Sequence, residues 1–339
     1  MAKSVTLTDY LTDDTSIPRD VADVVLAIGR VGQNLSRRIA RGVHGGDVQA
    51  DFDENTDDAR QNAMDTFADD MVFSEIAGGS IKWLASIQRQ EVIAVNSGGA
   101  LALAINTLDG SANIEVNAAV GTIFSIYPAK DDADESFLRP GCEQLAGGYI
   151  IYGPQTALMV TFGGGTLLFF LDPDTREFVL KIDAVKIPEA SSEFAIDASN
   201  YRHWTTPVRA YIDDAFAGET GPRGKNFNML WVGSLVAETY RIITRGGIYF
   251  YPGDAREGYE QGRLRLIHEC APIAFLIEQA GGHATDGCDR LLDQKAKSLH
   301  ARTPLVFGTA DKVDRVATYH DLPEHETSAL FRERGLYRN

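Results

Sequence analysis

The feature that most constrains this chain is a short polar turn between two apolar segments. Residues 106–113 read Asn-Thr-Leu-Asp-Gly-Ser-Ala-Asn, and they follow the apolar segment 101–105. Residues 120–127 come soon after the turn, and they alternate as the side chains of a strand do. A turn crowded with Asn, Asp, Gly and Ser between two strands predicts a loop held on the edge of a sheet.

The same turn has groups that suit a metal ion and a phosphate. Asp109 offers a hard anionic oxygen of the kind that Mg²⁺ prefers. Gly110 lets a ligand approach the backbone, and the N–H groups of Gly110 and Ser111 are placed to hold a phosphate. The alternative is an ordinary Asp-Gly hairpin turn without a ligand, and the local chemistry alone favours that alternative.

Length and charge limit the classes of protein to which the chain can belong. Its 339 residues, 44% of them hydrophobic, suffice for a large core and indicate two domains or one large one. We place the domains at residues 1–190 and 191–339, with residues 188–193 as the linker. The formal net charge of −16 argues against nucleic acid and anionic membranes as partners, although it does not forbid a phosphate ligand.

Cysteine usage and hydropathy predict a soluble cytoplasmic protein. The three cysteines, Cys142, Cys270 and Cys288, are widely spaced and form no Cys-x-x-Cys pair, so free thiols in a reducing compartment are expected. Residues 1–19 are polar and acidic, unlike a signal peptide. No apolar segment approaches the roughly 18 residues of a membrane helix, so no membrane partner is expected.

Hydrophobic periodicity predicts helices in the first part of the chain and strands further on. A helix over residues 21–41 follows Pro18 and ends at Gly42 with Gly45-Gly46. A second helix over residues 57–76 carries, among its acids, three in its central part, and acids on a helix are usually just solvated. Of these, Asp65 and Asp69 are four apart and share a face, and the third is Asp70. Short apolar segments separated by turn residues predict an antiparallel meander over residues 149–182.

Several motifs resemble those of the class 1 fructose-1,6-bisphosphatases and, more distantly, the wider magnesium-dependent, lithium-sensitive sugar and inositol phosphatases. They are residues 108–111 (Leu-Asp-Gly-Ser), 113–114 (Asn-Ile) and 120–127 (Val-Gly-Thr-Ile-Phe-Ser-Ile-Tyr). The resemblance extends over about residues 21–319 and is strongest over 221–287. It implies an α/β fold with α-β-α-β-α layers and a homotetramer. It also implies Mg²⁺-dependent hydrolysis of the 1-phosphate of a sugar bisphosphate, fructose 1,6-bisphosphate, in gluconeogenesis or the Calvin cycle.

The resemblance also implies a set of metal positions, several of which are altered here. The family turn reads Asp-Pro-Leu-Asp-Gly-Ser-Ser-Asn, so its first Asp is Asn106 in this chain. Two ligating glutamates of the family become Ile87, which has no donor atom, and Gln88, which is at best a weak ligand. Besides Gln88, the metal positions that remain are Asp109, the carbonyl of Leu108, and Glu269. Glu269 can also be interpreted as an acid in the first turn of a helix, stabilised by the helix dipole, and the two interpretations are compatible. The family acid that helps to activate water corresponds to Asp70, with Asp65 close by.

Substrate positions are partly retained. The resemblance implies contacts to the sugar and its phosphates from Gly110, Ser111, Ala112, Asn200, Tyr251 and Arg263, where Arg263 replaces a Lys. An Asn that binds the 6-phosphate in the family is Asp197 here, and its charge repels a phosphate at short range. An Arg that reaches into the neighbouring subunit's pocket is Leu230, which offers no such contact.

Three functions remain open on this evidence: a true fructose-1,6-bisphosphatase of ordinary or weak activity, a catalytically silent paralogue that acts as a structural or regulatory partner, and a phosphatase for another sugar phosphate. We adopt the first as the biochemical assignment. We predict that Asp109, Glu269 and Asp70 converge on one cleft, with Asp109 and Glu269 less than ~15 Å apart, because one metal cluster at ~2.1 Å bonds cannot span more.

Overall fold

The computed structural model describes residues 4–42 and 57–321, with side chains in the second range described from residue 63. Gly45 and Gly46, expected to end the helix over residues 21–41, lie outside these residues, as do the predicted domain limits at residues 1 and 339. The predicted helix itself is confirmed. It follows Pro18 and ends at Gly42, whose φ of 51° breaks the helix.

The described residues form seven α-helices and fifteen strands. The helices are α1 (Leu7–Asp13), α2 (Arg19–Arg41), α3 (Asp57–Ile76), α4 (Thr206–Phe216), α5 (Leu235–Arg245), α6 (Ala271–Gln279) and α7 (Ala310–His320). The strands are β1 (Ile81–Ser86), β2 (Ile93–Ala94), β3 (Leu101–Asp109), β4 (Val120–Pro128), β5 (Ala146–Tyr152), β6 (Thr156–Thr161), β7 (Thr166–Leu171), β8 (Phe178–Val185), β9 (Glu193–Ala195), β10 (Asn228–Met229), β11 (Ile248–Tyr251), β12 (Leu264–Arg265), β13 (His283–Thr285), β14 (Arg302–Thr303) and β15 (Leu305–Gly308).

A large sheet has the strand order β2-β1-β3-β4-β5-β6-β7-β8. Strands β4 to β8 pair antiparallel in sequence order, which confirms the predicted meander. The expectation that the polar turn lies on a sheet edge is wrong, because β3 and β4 are both flanked by other strands. Apolar residues continue on both sides of the turn because these two strands are covered on both faces.

The side chains of β3 pack against a helix layer on each face of the sheet. Leu101, Leu103 and Ile105 pack with α2 and α3 on one face of the sheet. The alternate residues, Ala102 and Ala104, face the layer that contains α5 and α6. Successive side chains of a strand point to opposite faces, so the large residues fill one layer and the small alanines let the other layer approach closely.

A smaller sheet has the order β10-β9-β11-β15-β13, and β12 pairs with β14 separately. Helices α5 and α6 pack between the two sheets, whereas α4 and α7 cover the outer face of the smaller one. The layers therefore run α-β-α-β-α, which confirms the predicted fold. The large sheet uses only strands up to β8 and the small one only strands from β9 onward. No helix among the described residues is both long and apolar enough to cross a membrane.

Candidate functional site

The polar turn joins β3 to β4 through a left-handed glycine. Strand β3 extends through Asp109, and Gly110 then adopts φ 73° and ψ 32° before a single 3₁₀ turn over Ser111–Asn113. A side chain at Gly110 would strain this conformation, so glycine is needed to reverse the chain here. Asp109 is buried opposite Gly121 of β4, whereas Ala112 is exposed and Leu108 is buried in the core formed with α2 and α3.

Asn106 is a hydrogen-bond partner of Asp109. Its Nδ2 donates to Asp109 Oδ1 at 3.2 Å, and both side chains are buried. A second carboxylate at this position would repel Asp109 unless a cation lay between them. Asn106 therefore provides a protein donor for the buried Asp109 carboxylate.

Asp109 lies close to Glu269, which comes from the other half of the chain. Glu269 is buried in a π-helical turn over Leu266–Cys270 that leads into α6, and its Oε2 accepts the N–H of Arg265 at 2.6 Å. Burial, together with the charge of Glu269, raises the pKa of Asp109 to about 8. Burial also raises the pKa of Glu269. The two residues thus share one site, while their role as metal ligands stays a prediction.

Asp65 of α3 adjoins the same turn. Ser111 Oγ donates to its Oδ2 at 3.2 Å. Its other carboxylate oxygen, Oδ1, is buried and has no partner among the residues that the structure describes. Burial raises the pKa of Asp65 to about 6, against the lowering effect of the Ser111 hydrogen bond. A buried oxygen with a free lone pair can accept a hydrogen bond from a water or a substrate hydroxyl.

Asp70 lies on α3, and its convergence with Asp109 and Glu269 on one cleft stays a prediction. Its side chain is 71% exposed, and its only described partner is Arg89 at 3.7 Å. The inward-facing acid is its neighbour Asp69, which is 5% exposed and accepts hydrogen bonds from Ser86 Oγ and from Arg89 Nε, the latter at 2.6 Å. Successive helical residues are about 100° apart, so only Asp69 follows Asp65 on the buried face. The four-residue spacing was the signal that could have identified it.

The residues present do not fit the Mg²⁺ site that the resemblance implies. Ile87 is half-buried and Gln88 is exposed, and next to them the guanidinium of Arg89 forms the ion pair with Asp69. Glu91, the nearest alternative carboxylate, is also exposed. Among residues 4–42 and 57–321, no group of three or more His, Cys, Asp or Glu side chains is arranged to hold a metal ion. The guanidinium of Arg89 therefore lies beside the two positions for which the resemblance implies anionic ligands.

A small pocket brings together the four predicted residues of the distal phosphate site. Its lining includes Asp197, Asn200, Tyr251 and Arg263. The Asp197 carboxylate caps a 3₁₀ turn by accepting the N–H and Oγ–H of Ser199 and, at 2.7 Å, one amide hydrogen of Asn200. One amide hydrogen of Asn200 is thus already bonded to Asp197, the residue that replaces the family Asn. Their contacts to substrate stay predictions.

Two arginines line this pocket, and they differ in what neutralises them. Arg256 is paired with Asp254, whose carboxylate accepts two hydrogen bonds from Arg256 Nε at 3.0 and 3.1 Å. Arg263 has no carboxylate partner within the described ranges, and its guanidinium lies 5.1 Å from the ring centre of Tyr259. Its positive charge lowers the pKa of Tyr251, although burial raises that pKa more. Arg263 is therefore the cation available to an anionic ligand.

The segment before α5 joins the pocket to the polar turn. Leu230 is half-buried, and Trp231 stacks on Tyr249 and Tyr251 with ring centres 5.8 and 6.2 Å away. Asn113 of the polar turn donates to the carbonyl of Gly233 at 3.1 Å. Trp231 was missed at the sequence level because nothing in its local pattern distinguishes a stacked tryptophan from an exposed one.

The buried carboxyl groups give a testable pH dependence. Folding raises the pKa values of Asp109 and Glu269, so the folded protein favours the protonated carboxyl groups. The stability that this protonation supplies is lost as the pH rises through the pKa that each group has in the folded state. We expect the free energy of unfolding in EDTA to fall by about 3 kcal/mol between pH 6 and pH 9 through the raised pKa of Asp109. Urea unfolding at several pH values measures this. Asp109→Asn flattens the dependence, and identical profiles for the two proteins would contradict the assignment.

Comparison with known proteins gives a consistent result along the chain. A family model described as Fructose-1-6-bisphosphatase, N-terminal domain, matches residues 36–183, and one described as Fructose-1-6-bisphosphatase, C-terminal domain, matches residues 187–321. The chain is 56% identical to a class 1 fructose-1,6-bisphosphatase of Cereibacter sphaeroides over 330 residues, which is 97% of this chain and 99% of the relative. It is 53% identical to that of Paracoccus denitrificans, over 95% of this chain and 97% of the relative.

A solved structure supports the same conclusion. The crystal structure of Leishmania major fructose-1,6-bisphosphatase in its holo form is similar, with a TM-score of 0.81 and 29% sequence identity. The match covers 94% of this chain and 100% of the Leishmania chain.

Proposed function

Because the chain belongs to the class 1 fructose-1,6-bisphosphatase family, we propose that it is a phosphoric monoester hydrolase that acts on fructose 1,6-bisphosphate. It would release the 1-phosphate and leave fructose 6-phosphate, in gluconeogenesis or the Calvin cycle. The observation that carries the proposal is the pocket in which Tyr251 and Arg263 lie together, because an uncompensated guanidinium beside a phenol suits a sugar phosphate.

The chain's own residues would act at both ends of the substrate. Arg263 and Tyr251 would bind the distal phosphate, and the backbone N–H groups of Gly110 and Ser111 would bind the reacting one. Asp65, whose buried Oδ1 is free of protein partners within the described residues, would orient the attacking water. Its pKa of about 6 keeps it ionised at neutral pH and able to accept a proton.

The metal that assists this reaction in the family would supply charge stabilisation at the phosphate. The donor set here does not fit Mg²⁺, so the roles of Arg263, Tyr251 and Asp65 given above do not depend on the metal. We expect turnover far below the roughly 10 s⁻¹ of an ordinary enzyme.

A second candidate is a catalytically silent or strongly impaired paralogue that acts as a structural or regulatory partner. It is favoured by two contacts, the Arg89–Asp69 ion pair and the Asn106–Asp109 hydrogen bond. Each provides a protein partner for a carboxylate in the region where the family binds metal. In such a protein the sugar-phosphate pocket would still bind ligand, while hydrolysis would be absent.

Two measurements on the purified protein separate the candidates. Phosphate release from fructose 1,6-bisphosphate is assayed with Mg²⁺ or Mn²⁺, and Mg²⁺ binding is measured by calorimetry. Phosphate release that is slow but above the uncatalysed rate supports the hydrolase, whether or not a saturable metal site is found. No release above the uncatalysed rate, with fructose 6-phosphate still bound, supports the silent paralogue.

The two pocket arginines provide a matched test of ligand binding. We expect Arg263→Gln to weaken fructose 6-phosphate binding by roughly 10- to 100-fold, the value of a charge-assisted hydrogen bond to phosphate. Arg256→Gln removes the same charge from the same pocket, but this charge is already paired with Asp254. We therefore expect the affinity for fructose 6-phosphate to change by less than about threefold. Calorimetric titration measures both. Equal losses in the two variants would mean that net charge, rather than Arg263, determines binding.

We also propose that the protein is a cytoplasmic homotetramer. Apolar side chains are exposed beside Leu230, at the position where the family contacts a neighbouring subunit: Met229 (38%), Trp231 (36%) and Val232 (47%). Contact with a second copy would cover this apolar surface. Sedimentation analysis measures the assembly, and a monomer at micromolar concentration would contradict the proposal.

A further inference from the structure

A group of positively charged side chains lies outside the site described above. Arg223, Lys225 and Lys312 surround the ring of Phe227, with charged groups 4.8, 5.7 and 6.0 Å from its centre. Arg223 and Lys225 belong to the segment that links α4 to β10, and Lys312 lies in the first turn of α7. None of them lines the pocket of Tyr251 and Arg263.

Lys312 is the most unusual member of this group, which we call the Phe227 cluster. It is only 5% exposed, yet no hydrogen bond or ion pair from its ammonium group occurs within the described residues. Burial and the nearby charges of Lys225, Arg223 and Arg315 lower its pKa, against the opposing effect of Asp311. A lysine is seldom buried without a partner, because desolvation of the ammonium group is costly.

Arg223 has a second unsatisfied group at the same place. Its Nη1 is buried and has no hydrogen-bond partner in the described part of the chain. Its guanidinium also lies 5.2 Å from the ring centre of Tyr211 on α4. Lys225, by contrast, is exposed and donates to the carbonyl of Ser191 at 2.9 Å.

The Phe227 cluster is unexpected in a chain with a net charge of −16. At Lys312, the charges of Arg223, Lys225 and Arg315 lower the pKa, and the exposed Asp311 opposes them. Like charges held around one ring repel each other, and the aromatic face compensates only part of that cost. A bound anion would remove the repulsion and satisfy the unpartnered donors of Lys312 and Arg223 together.

We propose that the Phe227 cluster binds a small phosphate-bearing anion at a second site, separate from the substrate pocket. Arg223 presents a planar fork suited to two phosphate oxygens, and the two lysines add point charges. The site lies in the outer helix layer, where α4 and α7 pack against the small sheet, whereas Asp109 and Glu269 lie on the side of α6. An anion bound there would stabilise the packing of the α4–β10 segment on α7.

The test is the change in melting temperature of the full chain on addition of inorganic phosphate, with chloride used to keep the ionic strength constant. We expect phosphate to raise the melting temperature of the unaltered protein and of Arg263→Gln, which removes the substrate-pocket cation. Lys312→Met and Lys225→Met should each reduce the phosphate affinity by about tenfold, the lower value for a charged hydrogen bond. Lys297→Met, an exposed lysine outside the cluster, is the charge-matched control and should have no effect.

Lys225→Met keeps the test valid if the buried Lys312→Met variant does not fold. The absence of a phosphate response in the unaltered protein would overturn the proposal. So would an equal response in Lys225→Met and Lys297→Met. Loss of oligomers in Lys225→Met without any phosphate response would also overturn it, because the cluster would then be a contact between copies of the chain.

Discussion

A variant carrying Ile87→Glu, Gln88→Glu, Asn106→Asp and Arg89→Ala is expected to bind Mg²⁺ and to hydrolyse fructose 1,6-bisphosphate at least about 100-fold faster than the unaltered protein. The first three changes restore the carboxylates that the family uses. The fourth removes the guanidinium that lies 2.6 Å from Asp69. Without the fourth change, the new glutamates would pair with Arg89, so the triple variant should gain much less.

The gain should depend on all the carboxylates together. Groups that act as one unit are not additive, so each single reversion should leave turnover nearly unchanged. Gln90→Glu is the control, because it adds a negative charge to an exposed position near the altered segment. Mg²⁺ binding is measured by calorimetry and turnover by phosphate release. If the unaltered protein already turns over at about 10 s⁻¹, these positions do not limit the reaction.

Arg241→Met is expected to destabilise the protein by roughly 3–5 kcal/mol, because it leaves two carboxylates without their shared partner. Arg241 binds Glu193 and Glu238, each at 2.7 Å, and the Glu238 side chain is fully buried. Glu238 also accepts the N–H of Val232 at 2.6 Å, so this network holds the segment that carries Trp231. Binding of fructose 6-phosphate should weaken in the same variant.

The matched control for Arg241→Met is Arg245→Met. Arg245 pairs with the same Glu193, but its side chain is 62% exposed. An exposed pair contributes little, so the loss should be below about 1 kcal/mol. Urea unfolding compares the two variants. A similar loss in both would show that the burial of Glu238 does not determine the stability of the network.

The sequence was sufficient to predict the fold. The meander between β5 and β8 was visible because strand periodicity and turn residues are local properties. The α2 helix was bounded by Pro18 and Gly42 for the same reason. The substituted positions Ile87, Gln88 and Asn106 could be named from the resemblance, because a missing donor atom is evident from residue type alone.

What replaces those donors could not be read from the sequence. Ser86 and Arg89 are three residues apart in the chain and both bond to Asp69, which is twenty residues away from Arg89, on α3. The choice between Asp69 and Asp70 depends on which face of α3 meets the sheet, and one residue changes the direction by about 100°. Likewise, the resemblance indicates a lost ligand at Asn106, whereas the structure shows that Asn106 donates a hydrogen bond to Asp109.

The sequence by itself therefore determined the layered α/β fold and the family, and it indicated which positions differ from the metal ligands that the resemblance implies. The tertiary structure alone decided that Arg89 pairs with Asp69 and Asn106 with Asp109, and it alone assembled the Phe227 cluster from segments some ninety residues apart in the chain. The physical reason is range. Periodicity, capping and turn formation act over a few neighbouring residues, whereas ion pairs, desolvation and pKa shifts depend on distances that only the folded chain defines.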